Sequence, residues 1–194
     1  MGAIFSFQAF KPRSTGPNWD FLNNPEMPIR LSQGGIYLGN QGSTGANIGV
    51  VPSHCIDPEW FDRLQRLNWL VVSNSTSSDQ YDSNSRTVEL SPALAPKWRF
   101  GVGLPNSNGK RRFLISDNAL SSAAEEFREW KMTWNAQFNG YNLVHKSSDL
   151  ILIRSGCLDN VASANYGSTG PILLPEGSIA GAVQWDLERV TRVT

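Results

Sequence analysis

The stretch Ser121–Gly140, "SSAAEEFREWKMTWNAQFNG", decides whether the chain is mixed or almost wholly β. Ser122 and Glu125 have the spacing of a capping box, in which the hydroxyl and the carboxylate each satisfy an amide of the first turn. Phe127, Trp130, Trp134 and Phe138 follow at helical intervals along one stripe, and Gly140 supplies a stop. The spacing predicts an amphipathic helix over residues 122–138. A second start signal stands at Asp57 and Pro58, with Trp60, Phe61, Leu64 and Leu67 on one face, and predicts a shorter helix over 57–68.

Around these two segments the pattern is that of strands. "GIYLG" (35–39) and "ANIGVV" (46–51) are short apolar runs bounded by glycine, and "WLVV" (69–72) reads as a buried strand. "WRFGVGL" and "KRRFLIS" flank "PNSNG", where Asn108-Gly109 is a hairpin signal. "YNLVH", "DLILIR", "PILL" and "SIAGAVQW" complete the set, while residues 73–86 are a polar loop. The expected fold class is therefore mostly β or α+β: an antiparallel sheet or sandwich carrying the two amphipathic helices. Residues 1–34, broken by Pro12, Pro17, Pro25 and Pro28, read as an extended N-terminal arm ahead of a single globular domain over 35–194. The tripeptide Ser-Thr-Gly recurs at Ser14, Ser43 and Ser168, and its second and third copies read as turns feeding strands.

Composition narrows the function classes. Of 194 residues, 18% are charged, and 17 Lys and Arg balance 17 Asp and Glu. A neutral chain lacks the cationic excess that nucleic acid or an acidic lipid surface selects, so nucleic acid is not an expected partner. Seven Trp supply large apolar area for a core or an interface. Two cysteines, Cys55 and Cys157, read as buried reduced thiols. There is no Cys-x-x-Cys pair, no His pair at helical spacing and no phosphate loop, so neither metal nor cofactor is expected. Lys110, Arg111 and Arg112 form a basic cluster on a hairpin edge, where charge guards a strand against mispairing.

Two constellations remain. "MGAIFS" fits the Met-Gly-x-x-x-Ser/Thr pattern of N-myristoylation at Gly2. One acyl chain anchors only marginally, and Ile4, Phe5, Phe7 and Phe10 would add apolar contact with a membrane or a neighbouring subunit. With the arm, the Trp load and the absence of a clear catalytic set, this start resembles the viral structural proteins, coat or matrix subunits, that begin Met-Gly. The resemblance implies a non-enzymatic, self-assembling subunit whose partners are copies of itself or other structural subunits. It places the chain in the virion and the host cytoplasm, with membrane contact through the N-terminus.

The alternative comes from "GANIGVVPSHCID", which resembles the segment around the catalytic His of trypsin-like proteases. "YGSTGPILLPEGSIAGAVQW" is similar to the segment around their nucleophilic Ser. That resemblance implies His54 as base, Ser168 as nucleophile, and as orienting acid Asp149 or an earlier acid, of which Asp79 and Asp82 have the better spacing but sit in a loop without the motif. Gly167 and Thr169 flank Ser168 where that family has Asp and Gly. A cysteine variant would pair His54 with Cys157.

Overall fold

In the computed structural model twelve antiparallel strands among the described residues form one curled sheet. They are β1 (Ile29–Gln33), β2 (Ile36–Asn40), β3 (Ile48–Pro52), β4 (Trp69–Ser73), β5 (Ser85–Pro92) and β6 (Trp98–Val102). The series continues with β7 (Phe113–Asp117), β8 (Trp130–Asn135), β9 (Gly140–His145), β10 (Leu150–Arg154), β11 (Pro171–Pro175) and β12 (Asp186–Arg189). The structure describes residues 16–40, 48–52, 67–73, 83–103, 107, 113–117, 128–154, 171–175 and 184–190.

The pairings close on themselves. β1 pairs with β4, β4 with β5, β5 with β8 and β8 with β9. Tyr141 of β9 then bridges Trp185, the residue that leads into β12, and β12 returns to β1. Six strands thus make a barrel. The other six form three hairpins, β2–β3, β6–β7 and β10–β11, and strands β3 and β11 of different hairpins touch. Each hairpin leaves the barrel from the strand that opens one of three successive four-strand units, 29–73, 85–135 and 140–189. This is the architecture of a β-trefoil.

The threefold relation reaches individual side chains. Ile29, Val88 and Tyr141 oppose Trp69, Trp130 and Trp185 across the barrel seams. Two residues further on, Leu31, Leu90 and Leu143 are all fully buried, on the face that a period of two assigns to the interior. The three tryptophans are also fully buried, and each indole N–H donates to a carbonyl of its own unit's hairpin: Trp69 to Leu38 at 2.9 Å, Trp130 to Phe100 at 3.0 Å and Trp185 to Leu152 at 2.9 Å. A buried indole without an acceptor is costly, so each bond fixes a hairpin over the barrel as well as filling the core.

The expected helix over 122–138 is corrected here: residues 130–135 are strand β8 and 140–145 are β9, joined by a turn at 136–139. Trp130, Met132 and Trp134 also alternate with Lys131, Thr133 and Asn135, and Lys131 is exposed while Trp130 and Met132 are buried. Aromatic and β-branched residues suit a pleated surface, and pairing on both sides, to β5 and β9, outweighs the helical stripe. Asn139 takes the left-handed backbone (φ 54°) that ends the turn, as Asp149 does (φ 51°) in the β9–β10 turn. Asn and Asp are the non-glycine residues that most readily adopt it. The capping box at Ser122 lies outside the described residues, as does the 57–68 helix apart from Leu67 and Asn68. Among the described residues the one named helical element is a 3-10 turn, Asp20–Asn23.

Part of the stretch expected as an arm belongs to the domain. Residues 29–33 are β1 in the barrel wall, and Phe21 in the 3-10 turn is buried in the core. Residues 1–15 lie outside the described residues.

Candidate functional site

The barrel has two unlike ends. The hairpins cover one. At the other, the mouth, residues 16–24 run across the opening as a strap. The strap folds locally through an Asx turn, in which the Asp20 amide donates to Asn18 Oδ1 at 3.0 Å, and the Leu22 amide donates to the Trp19 carbonyl at 2.9 Å. That turn aims Trp19 and Phe21 at the barrel.

Phe21 plugs the mouth. Its ring meets Tyr141 edge-on at 6.4 Å, and Trp19 meets Tyr141 edge-on at 5.3 Å. Trp134 meets the same tyrosine at 5.0 Å, so one phenol ring organises three aromatic neighbours. The Tyr141 hydroxyl accepts from the Asn18 amide and donates to the Asn18 carbonyl, both at 2.9 Å. Trp19 Nε1 donates to the Ser83 carbonyl at 2.9 Å, and the Arg86 guanidinium lies 5.2 Å from the Trp19 ring centre, in cation–π range. On the outside, Arg189 reaches Asp20 at 3.3 Å and Asn18 Oδ1 at 3.2 Å. Trp134 Nε1 is buried and has no acceptor among the described residues. These contacts make the mouth a seat for a specific short sequence, Asn-Trp-Asp-Phe.

Elsewhere the described polar side chains brace the scaffold. Each unit ties its first strand to the residues just before its tryptophan or the equivalent position. Arg30 Nε donates to Asn68 Oδ1 at 2.8 Å, and Gln184 Nε2 donates to Asn142 Oδ1 at 3.1 Å. In the middle unit Glu89 takes Arg99 Nε at 2.7 Å and faces Arg128 Nε at 3.8 Å, all three side chains nearly buried. Arg99 Nη1 also donates to the carbonyls of Pro96 and Trp98, so its charge is held by the β5–β6 turn.

One hydroxyl–imidazole contact exists among the described residues: His145 Nδ1 and Ser148 Oγ, 2.7 Å apart. The ring is fully buried against Trp130, so it locks the β9–β10 turn and cannot meet a substrate as a base. Asp149, an acid of the trypsin-like reading, closes the same turn, exposed, with its amide bonded to the His145 carbonyl at 2.9 Å. His54, Ser168, Asp79 and Asp82 lie outside the described residues. Also outside them are Gly2, Ile4, Phe5, Phe7, Phe10, Cys55, Cys157, Lys110, Arg111 and Arg112. Among the described residues no cluster of His, Cys, Asp or Glu is placed to hold a metal ion, and no helix is long and apolar enough to cross a membrane.

Two tyrosines have raised phenol pKa values. Burial, then the hydrogen bond to Glu188 at 2.9 Å and the carboxylate's charge, push Tyr37 from 10.0 up to about 12. Burial also raises Tyr141. A phenol whose folded value lies above its unfolded value favours the folded state while protonated. Its contribution is complete below pH 10 and is lost as the pH climbs towards about 12. An alkaline titration followed by tyrosinate absorbance and circular dichroism should show Tyr37 ionising late, and Tyr37→Phe should remove that late step. Ionisation of Tyr37 at the ordinary midpoint would contradict its burial against Glu188.

Reading the sequence alone missed the strap. Its signal was the aromatic pair Trp19 and Phe21 set inside a proline-broken segment, a poor composition for a free arm. No protein-family model matches the chain, and no curated protein matches it in sequence.

Proposed function

We propose that the chain is a non-enzymatic, self-assembling structural subunit of the coat or matrix type, with an N-terminal arm anchored at the barrel mouth. The observation that carries this reading is the strap: residues 16–24 are held by a built seat of Phe21, Trp19 and Tyr141, and residues 1–15 lead into it. An arm of this kind gains order only on a surface that receives it. The bracing role of the described ionic groups and the neutral overall charge agree with a scaffold whose partners are proteins.

Acylation at Gly2 belongs to the same reading. It would give Ile4, Phe5, Phe7 and Phe10 an apolar surface to enter, a membrane or a seam between subunits, in the virion or the host cytoplasm.

Light scattering of the purified chain across a concentration series tests the proposal. Defined higher oligomers or shells are expected, and the intact mass of protein from its native host should carry a myristoyl group. A strict monomer at every concentration would overturn self-assembly. An unmodified mass would remove the acylated arm.

A further inference from the structure

The geometry points to an exchange of straps, in which residues 16–24 of one copy seat on the barrel mouth of a second. This rests on the self-assembly reading and names the contact that would carry it. The seat reads its occupant through Tyr141, Arg86, Arg189 and the Ser83 carbonyl, and every one of those contacts is to Asn18, Trp19, Asp20 or Phe21. None depends on which chain supplies them.

The segment joining strap to barrel is built to open. From Asn23 to Glu26 it is exposed, and Met27 and Pro28 are half-buried. From Asn23 to Met27 one backbone hydrogen bond among the described residues, Met27 amide to Asn24 carbonyl at 2.9 Å, shapes it. Residues 23–28 and Val190 line an open cavity of about 530 Å³, and the segment is tied to the barrel only at its end, where the Val190 amide donates to the Pro28 carbonyl at 2.9 Å. Pro25 and Pro28 bias the residues before them towards extended backbone, and Asn24 already has φ −130° and ψ 71°. Turning the chain outward there carries the strap clear of its own barrel.

A strap that leaves exposes both Phe21 and the apolar mouth, an arrangement that water disfavours. It therefore has two stable destinations, its own seat or an identical one nearby. Remaking the same contacts on a neighbour is the low-cost route of domain swapping, and an assembly raises the effective concentration of neighbouring seats.

The test joins a marked strap to a marked seat on different chains. In full-length protein with Cys55→Ser and Cys157→Ser, one batch carries Asp20→Cys and a size-tagged batch carries Arg189→Cys. Both positions are surface partners of one ion pair. The two are mixed at assembling concentration and treated with a short bismaleimide. A cross-linked heterodimer of one tagged and one untagged chain is the expected product. The double variant Asp20→Cys/Arg189→Cys, diluted, should cross-link within one chain.

Absence of the heterodimer overturns strap exchange. If light scattering still shows oligomers, the self-assembly reading stands without it; if it shows monomer, both fall. A second measurement keeps the native cysteines. Deletion of Asn24 and Pro25 shortens the hinge so that the strap no longer reaches its own seat, and should raise the oligomer fraction at least tenfold at equal concentration while circular dichroism keeps its β signature. An oligomer fraction that does not rise would overturn the exchange.

Discussion

Trp130→Ala is expected to lower the stability of the folded chain by about 3–5 kcal/mol, the range for emptying a large aromatic site that cannot collapse. The site cannot collapse because it is walled on every side. Trp130 stacks on Phe100 at 4.9 Å and 19°, meets His145 edge-on at 5.2 Å, and stands opposite Val88 of β5. Its indole N–H is also the donor that holds the β6–β7 hairpin through the Phe100 carbonyl. The truncation removes area, leaves a cavity and leaves a buried carbonyl without its partner at once. Against a total stability of about 5–15 kcal/mol this is a fifth or more of the fold. Chemical denaturation measures it. Trp130→Phe separates the terms: it keeps most of the ring volume, loses the donor, and should cost about 1–3 kcal/mol. A loss below about 1 kcal/mol for the alanine variant would mean that Trp130 does not sit in a closed barrel.

Gly140→Ala has the second large effect, for a reason of contact rather than conformation. A Cβ on Gly140 would lie 2.7 Å from Gln184 Cβ and 3.2 Å from the Trp185 carbonyl oxygen. Gln184 Cβ is attached directly to backbone and cannot swing aside as a side-chain tip would. The strand that closes the barrel must then move away from β9 at the Tyr141–Trp185 bridge. Overpacking of this kind costs about 1–3 kcal/mol. The variant should also loosen the strap, since Tyr141 is both the bridge residue and the strap's main hydrogen-bond partner. Thermal unfolding reads the first effect, and loss of the Trp19 ring's shielding in fluorescence quenching reads the second. An alanine variant as stable as the parent would place β12 further from β9.

How much was legible in the sequence follows from where each strand sits. Most hairpin strands announce themselves. β2 lies in a glycine-bounded run, and β6 and β7 flank Asn108-Gly109 and pair from Val102↔Phe113 outward. Barrel strands were harder. β1 hides between Pro28 and Gly34-Gly35 in a segment whose prolines suggested an arm, and β12 is Asp-Leu-Glu-Arg, with one apolar residue in four. β5 carries polar residues on its outer face because that face packs beneath a hairpin, where Glu89 is bonded and Ser91 is buried. β8 satisfied two periods at once, and only its neighbours decide between them.

The threefold repeat left few traces. Equivalent positions share a leucine at 31, 90 and 143 and a tryptophan at 69, 130 and 185, while the connections between them differ in length. The Ser-Thr-Gly copies at Ser43 and Ser168 do precede the equivalent strands β3 and β11 in the chain, which is what a turn feeding a strand implies. Of the candidate site, the arm was seen as a segment. Its seat was not, because Arg86 comes from the second unit and Tyr141 and Arg189 from opposite ends of the third, and only the closed barrel brings them to one mouth.

The closure itself is the claim on which core, mouth and strap all depend, and amide hydrogen exchange at two residues tests it most directly. The Tyr141 amide donates to the Trp185 carbonyl at 2.9 Å, and the Trp185 amide returns to the Tyr141 carbonyl at 2.8 Å. In a closed barrel both amides open only with global unfolding, so their exchange free energies should match the stability from denaturation. Exchange of both at the rate of a frayed edge, with β8 and β9 still protected, would show that the sheet does not close and that the mouth does not exist.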